Sequence, residues 1–149
     1  FHILILQVSR HLKSPMGPEA KLYQKIKKST PNILWNRIEN LTIPGMPDAL
    51  GYNKRNVFFT VEFKIAKSNK LKFSPHQIAW HVSHPKNTFI IAEAHGPRSS
   101  KTSSVFLYPG SRILELEACG LKLETTTVGL EACSLELEAC GLTLETLGA

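Results

Sequence analysis

The chain has 149 residues, of which 42% are hydrophobic and 20% are charged, and its formal net charge is +6. This composition indicates one domain with a packed core and excludes a chain that is disordered throughout. The longest apolar runs are far shorter than a membrane-spanning helix requires, so we expect no membrane span. The chain has three cysteines, Cys119, Cys133 and Cys140, and no C-x-x-C pair, which excludes a disulfide framework and a zinc ribbon.

The charge is distributed unevenly along the chain. Residues 1–112 hold 17 Lys and Arg against 5 Asp and Glu, a net charge of +12, whereas residues 113–149 hold one Lys and seven Glu, a net charge of −6. A basic segment of this size indicates a polyanionic partner, either nucleic acid or an acidic membrane surface.

The N-terminal stretch, residues 1–15, is predicted to be an arm or upstream read-through, because Met16 directly precedes a strong helix start. The alternative is a short strand over residues 3–8 that joins a sheet edge. The basic residues follow the apolar run instead of preceding it, so a signal peptide is not indicated.

A domain over residues 16–125 is predicted from the pattern of elements. Residues 17–29 favour a helix, with Pro18 near its start and Lys27 and Lys28 in its last turn. Strands are predicted over residues 32–39, 48–52, 57–64, 88–93 and 105–108, and a second helix over residues 74–85. Residues 65–73 and 96–104 read as basic loops, and residues 112–124 as a last helix and strand. This order predicts an α/β fold with a mixed central sheet flanked by helices.

The C-terminal stretch, residues 126–149, repeats the preceding segment. A Leu-Glu pair recurs every seven residues, and LELEACGLKLET at 114–125 returns as LELEACGLTLET at 135–146. The spacing allows a coiled coil, but Gly129, Gly141 and the threonines at 125–127 argue against a continuous helix. We interpret residues 126–149 as a heptad-like repeat tail of no clear function.

The few acidic residues of the basic segment point to a cation site. Glu62 and Lys64 lie two apart on a predicted strand and therefore share a face. Asp48 heads the preceding short strand and meets Glu62 if the two strands form a hairpin. Two carboxylates beside a lysine suit a hard divalent cation that hydrolyses phosphodiesters. The alternatives are an exposed Glu62–Lys64 ion pair and a turn acid at Asp48.

Glu19 is a further candidate in the first predicted helix. It shares a helix face with Leu22, Tyr23 and Ile26, where a metal or its water shell would compensate a carboxylate. The alternative is an ordinary acid in the first helical turn. Glu39 and Glu93 are interpreted as structural.

Taken together, these residues resemble a known nuclease signature. Pro47-Asp48 followed by Glu62-x-Lys64 is similar to the PD-(D/E)XK pattern, and Ser74-Pro75-x-Gln77 follows it in order. The extended pattern resembles the virus-type replication-repair nuclease branch (VRR-NUC), common in phages, and Holliday-junction-resolvase-like enzymes. The resemblance covers residues 16–124 and implies a restriction-endonuclease-like core in the order αβββαβ.

The resemblance implies a role for each site residue. Asp48, Glu62 and the Phe63 carbonyl would hold Mg²⁺, which Mn²⁺ can replace in such enzymes, and Glu19 would act directly or through water. Lys64 would activate the nucleophile. Gln77 would position the nucleophile or the phosphate, so the implied catalytic residues are Asp48, Glu62, Lys64, Glu19 and Gln77.

Local explanations compete for residues of the second helix. Ser74 to Gln77 also read as a capping box, in which the Gln77 side chain bonds the Ser74 backbone, and both roles stay open. His76, His81 and His84 are expected on the helix surface, in contact with phosphate or solvent, and their spacing does not favour zinc.

The implied substrate is DNA recognised by its shape, branched or flapped. We expect a homodimer, because one small domain offers little surface for a four-way junction, and a cytoplasmic location in a bacterial or phage-infected cell. The alternatives are a sequence-specific homing or restriction-type endonuclease and a non-catalytic DNA-binding module of the same fold. Basic residues in the loops at 65–73 and 96–104 favour phosphate contact.

Overall fold

Helix α1 shows how the sequence forms this domain. The structure is a computed structural model that describes residues 16–38, 42–96, 99 and 103–122. α1 spans Pro18–Ser29, with proline at a position that needs no N–H donor and two lysines near its C-terminal carbonyls. Its apolar residues Leu22, Tyr23 and Ile26 are buried, so the predicted helix and its apolar stripe are confirmed.

Five strands form one mixed sheet. They are β1 (Leu34–Arg37), β2 (Ala49–Tyr52), β3 (Phe58–Ile65), β4 (Thr88–His95) and β5 (Ser103–Pro109). Their order is β1-β2-β3-β4-β5, with β3 and β4 parallel and every other pair antiparallel. The parallel pair requires a crossover connection, which α2, Pro75–Ser83, supplies. The predicted α/β class and mixed sheet are therefore confirmed, although β1 is shorter than the strand expected over residues 32–39.

The hairpin that joins β2 to β3 is the turn on which the candidate site depends. Asn53 Oδ1 accepts hydrogen bonds from the backbone N–H groups of Arg55, at 2.9 Å, and Val57, at 3.0 Å. Asn56 has a φ of 61°, a left-handed conformation that asparagine tolerates better than most residues. The turn sets the register Ala49↔Val61, which brings the residue before β2 toward the far end of β3.

The two faces of the sheet are different. The α1 face is covered by α1 and contains alternate residues of the strands, among them Trp35, Phe59, Val61 and Phe63. The α2 face carries the other alternate residues. Beneath α2 and α3 (Ile113–Cys119) it forms a second core of Leu71, Phe73, Ile90, Ala92, Tyr108, Ile113 and Leu116.

The end of the described chain corrects one prediction. Residues 112–124 were expected to give a helix and then a strand, but α3 is followed by a 3₁₀ turn at Gly120–Lys122. Gly120 has a φ of 61°, and the helix ends there. The Leu121 N–H then donates a hydrogen bond to the Asn69 carbonyl at 2.8 Å and does not pair with a neighbouring strand. The arm at 1–15 and the repeat tail at 126–149 lie outside the described residues. In the described ranges, no helix is long and apolar enough to cross a bilayer.

Candidate active site

Glu62, Lys64 and Gln77 form a contact network between β3 and α2. Lys64 Nζ lies 3.2 Å from Glu62 Oε1 and donates to Gln77 Oε1 at 3.2 Å. Gln77 Nε2 donates a short hydrogen bond to the same Glu62 oxygen. The Glu62 side chain is 1% exposed and that of Lys64 is 13% exposed. The two residues therefore share a face, as predicted, but they are not the exposed ion pair that was the alternative.

Gln77 takes part in two interactions at once. Ser74 Oγ accepts from the Gln77 N–H at 3.2 Å, and Gln77 Oε1 accepts from the Ser74 N–H at 3.0 Å, which completes a capping box. The same side chain contacts Glu62 and Lys64. The local explanation and the site position are consequently compatible, because the cap fixes the amide in the orientation that meets Glu62.

Asp48 directly precedes β2 and lies beside β3, where its side chain contacts the β3 backbone. Its Oδ2 accepts from the Phe63 backbone N–H at 2.8 Å, beyond the last register pair of β2 and β3. In a strand, the N–H and C=O of one residue point to the same edge, so the Phe63 carbonyl is directed toward the Asp48 side. Asp48 and this carbonyl therefore lie next to each other, and Glu62 precedes Phe63 in the chain.

A cleft on the α1 side completes the surroundings of Asp48. It is lined by Glu19, Tyr23, Arg37, Asp48 and Phe63. Glu19 is exposed at its rim, not enclosed in the apolar stripe of α1. The Arg37 guanidinium carbon lies 5.9 Å from the centre of the Tyr23 ring. The cleft thus combines two carboxylates with one guanidinium.

Burial raises the pKa of all three carboxyl groups, and the negative charge of Asp48 adds to the shift of the other two. Burial, and then the negative charge of Asp48, raise the pKa of Glu62 to about 8, against the opposing effect of Lys64. Burial raises the pKa of Asp48, which the Phe63 N–H, Lys64 and Arg37 oppose. Partial burial also raises the pKa of Glu19, with Lys64 opposing and Asp48 adding to the shift. A nearby cation would therefore stabilise the ionised form of each carboxyl group.

One oxygen of Glu62 lacks a partner in the part of the chain that the structure describes. Glu62 Oε2 is buried and makes no hydrogen bond to any described residue, an arrangement that is costly unless a cation or water occupies the position. Within the described ranges, no group of three or more His, Cys, Asp or Glu side chains is arranged to hold a metal ion. A cation here would depend on two carboxylates, a backbone carbonyl, water and substrate, as is usual for Mg²⁺.

The histidines of α2 require a correction. His76 and His84 are exposed, as expected, but His81 is 0% exposed. His81 Nδ1 lies 2.9 Å from the Gln77 carbonyl oxygen, and burial lowers the pKa of the ring. Gly110, which has no Cβ, allows the ring to pack closely. His81 is therefore a core residue beneath the helix and not a surface phosphate contact.

Arg37 is the residue that the sequence interpretation missed. It lies opposite Ala49 in the β1–β2 register, one residue from Asp48, and the only sequence signal for it would have been that strand pairing. Glu93, which was interpreted as structural, accepts from Lys25 Nζ at 3.1 Å, outside the network of Glu62. Glu39 lies outside the described residues.

The comparisons with known proteins give no relative from which a role could be transferred. The chain matches no family model, no curated protein and no solved structure.

Proposed function

We propose that the protein is a Mg²⁺-dependent DNA endonuclease of the PD-(D/E)XK superfamily with a restriction-endonuclease-like fold, in which Mn²⁺ can replace Mg²⁺. The observation that carries the proposal is the buried Glu62 carboxylate, held by Lys64 and Gln77 beside the Asp48–Phe63 contact. The order of α1, three antiparallel strands, α2 and a parallel fourth strand supports it, since the family that the sequence resembles has that core.

The residues that would hold Mg²⁺ are Asp48, Glu62 and the Phe63 carbonyl, with Glu19 acting directly or through water. The Oε2 atom of Glu62 has no hydrogen-bond partner among the described residues. This supports the assignment, because a buried carboxylate oxygen needs a compensating charge or donor. When bound, Mg²⁺ supplies a Lewis acid that activates water and shields phosphate charge.

Lys64 would act on the water or the phosphate, and Gln77 would act through its contacts with Glu62 and Lys64. Lys64 carries three N–H donors, and its contacts with Glu62 and Gln77 engage two of them. The remaining donor would orient the attacking water or bond a phosphoryl oxygen. In hydrolysis the water oxygen bonds to phosphorus, the bond to one deoxyribose oxygen breaks, and that oxygen receives the proton. Gln77 would keep Glu62 and Lys64 in position.

The loop after β3 supports an anionic substrate. Lys67, Lys70 and Lys72 are exposed, and the backbones of Lys67 and Lys70 pair across a tight turn in which Ser68 and Asn69 have positive φ. Their ammonium groups therefore extend from a fixed turn that begins three residues after Lys64. Contacts of this kind recognise the backbone and shape of DNA more than its sequence, which suits branched or flapped substrates. The proposal includes a homodimer, because one small domain offers little surface for a four-way junction, and a cytoplasmic location.

Cleavage assays with defined substrates test this proposal. The full chain is incubated with linear duplex, single strand, flap and four-way junction DNA, in Mg²⁺, in Mn²⁺ and in EDTA. We expect cleavage of the flap or junction in either metal and none in EDTA. Asp48→Asn should abolish cleavage and retain binding in EDTA, because affinity comes from Lys and Arg.

A matched control is Glu93→Gln, which also neutralises a buried carboxylate, on the neighbouring strand and outside the network of Glu62. This variant should cleave at the wild-type rate. Cleavage by Asp48→Asn within about tenfold of wild type, ~1.4 kcal/mol on the barrier, would contradict the proposed site. Cutting of one defined duplex would favour a restriction-type enzyme, and binding without any cleavage would favour a DNA-binding module.

A further inference from the structure

An aromatic patch lies on the part of the α2 face that the second core leaves open. We define the aromatic patch as Leu34, Tyr52 and Phe58, which lie directly opposite one another across β1, β2 and β3. Leu34 is 65% exposed and Phe58 is 58% exposed. The Tyr52 and Phe58 rings lie 4.4 Å apart at 39°, and the Tyr52 hydroxyl donates to Asn56 Oδ1 at 2.8 Å. Two rings are therefore held at the surface in a fixed arrangement.

The aromatic patch and the candidate active site share one sheet face. Alternation along β3 places Phe58 on the same side as Glu62, and the two residues are four apart. Because a strand rises about 3.3 Å per residue, the two residues lie about 13 Å apart along β3. This distance is about four nucleotides of a stacked DNA strand. A nucleic-acid strand that runs along β3 from a cut at Glu62 would therefore reach Phe58 within about four nucleotides.

The charges around the aromatic patch favour an anionic occupant. Lys54 and Arg55 are exposed in the β2–β3 turn, next to Tyr52. In residues 42–61 the sequence contains one acidic residue, Asp48, at the other end of β2. A second copy of the chain would bring like charges together across a two-fold interface. The combination of exposed rings with nearby cations matches the surfaces on which nucleic-acid bases stack.

We propose that the aromatic patch binds unpaired bases of the substrate strand, with Phe58 as the stacking ring and Lys54 and Arg55 on the adjacent phosphates. The inference rests on the proposed function and adds a base-binding surface to it. In an intact duplex each base is stacked and paired, so its face is not available to Phe58. DNA with unpaired nucleotides near the cleavage point, such as a flap, is therefore preferred over linear duplex.

Equilibrium binding in EDTA tests this inference without cleavage. The full-length wild type and its variants are titrated with a short oligothymidylate and with an abasic strand that carries the same number of phosphates. We expect wild type to bind the oligothymidylate about tenfold more tightly, equal to ~1.4 kcal/mol and within the range for one stacked base. Phe58→Ala should bind both strands equally, because the ring is lost and the cations remain.

Further variants separate stacking from apolar area and from folding. Phe58→Leu should behave like Phe58→Ala, whereas Phe58→Trp should retain the preference. The control Leu114→Ala removes a side chain that is also 58% exposed, on α3, and should behave as wild type. A preference that persists in Phe58→Ala, or equal affinities in wild type, would overturn the inference.

The inference and the proposed function fail in different measurements. If wild type cleaves a flap in Mg²⁺ but Phe58→Ala keeps the oligothymidylate preference, the function stands and the inference is wrong. If the preference depends on Phe58 but no substrate is cleaved, the inference stands and the nuclease function is wrong. Conversion of a dimer to a monomer by Phe58→Ala, with the preference unchanged, would identify the aromatic patch as a self-association surface and overturn the inference.

Discussion

The carboxylates on the two faces of the sheet differ in their exposure to solvent and in their protein contacts. On the α1 face, Glu19 is exposed at the rim of a cleft that also contains Arg37 and Tyr23. On the α2 face, Glu62 is buried, contacts Lys64 and Gln77, and has one oxygen with no partner among the described residues. Water can solvate Glu19, whereas Glu62 depends on its protein partners.

Asp48 links these two environments. It is half-buried, lines the cleft with Glu19, and accepts the Phe63 N–H directly after Glu62 in the chain. A cation at this edge would therefore be held mainly from the α2 side, with the α1 side contributing through solvent. The candidate site is thus asymmetric, and each side can be altered separately.

The largest difference between the faces is expected in catalysis. Glu62→Gln should lower the single-turnover rate on a flap or four-way junction by more than about a thousandfold, ~4 kcal/mol on the barrier, because it removes the buried carboxylate. Glu19→Gln should lower the rate only about tenfold, because an exposed carboxylate acts through water. Rates are measured in saturating Mg²⁺ with enzyme in excess. Equal losses in the two variants would contradict the asymmetry.

The second-largest loss of cleavage rate is expected for variants of Lys64. Lys64→Ala should lower the same rate about a hundredfold, which is typical of losing one donor at a developing charge. Lys64→Arg should not restore it, because the guanidinium is longer and planar and does not reproduce a compact ammonium. Calorimetric Mg²⁺ titration checks that both variants retain the metal. Near-wild-type cleavage by Lys64→Arg would reduce Lys64 to an ion-pair partner of Glu62.

The pH dependence of stability gives a third contrast. The folded pKa of Glu62, about 8, lies above its ordinary value of 4.5, so the folded state binds the proton more tightly. This contribution to stability is fully present below pH 4.5 and is lost as pH rises through 8. Without divalent cations, wild type should lose about 2 kcal/mol more stability than Glu62→Gln between pH 6 and pH 8.

Urea unfolding at each pH measures this difference. His81, whose pKa shift has no contribution from Glu62, is common to the two proteins and cancels in the comparison. Addition of Mg²⁺ at pH 8 should stabilise wild type and leave Glu62→Gln unchanged, which reports metal binding without activity. Parallel pH profiles for the two proteins would show that Glu62 does not titrate in this way.

Local sequence patterns predicted part of this site. The alternation along β3 placed Glu62 and Lys64 on one face, and the polar turn before β3 predicted the hairpin that brings Asp48 near. The position of Arg37 depends on the β1–β2 register, which no local pattern contains. The burial of His81 likewise depends on the distant Gly110.

The same distinction explains the other differences between sequence and structure. The sequence does not predict the aromatic patch, because its three residues come from three strands and lie together only through the strand register. Where a final strand was expected, the described residues Gly120–Lys122 form a 3₁₀ turn, and the Leu121 N–H bonds the carbonyl of the distant Asn69. Patterns within one element and the short β2–β3 hairpin were therefore predictable, and contacts between more distant elements were not.

The smallest expected effect separates the two roles of Gln77. Ser74→Ala removes the hydroxyl that accepts from the Gln77 N–H but leaves the Gln77 side chain. It should cost about 1 kcal/mol of stability, as for other helix caps, and leave the cleavage rate within about twofold. Gln77→Ala also removes the contacts with Glu62 and Lys64, so the cleavage rate should fall about tenfold, ~1.4 kcal/mol.

Urea unfolding and single-turnover cleavage of both variants provide the two readouts. The capping box is shared by the two residues, so a loss of helix stability alone would lower activity to the same extent in both proteins. A larger loss of rate in Gln77→Ala than in Ser74→Ala, at similar stability, assigns Gln77 a positioning role through Glu62 and Lys64. Equal rates would show that the glutamine serves only to begin α2, and the α2 side of the candidate site would then consist of Glu62 and Lys64 alone.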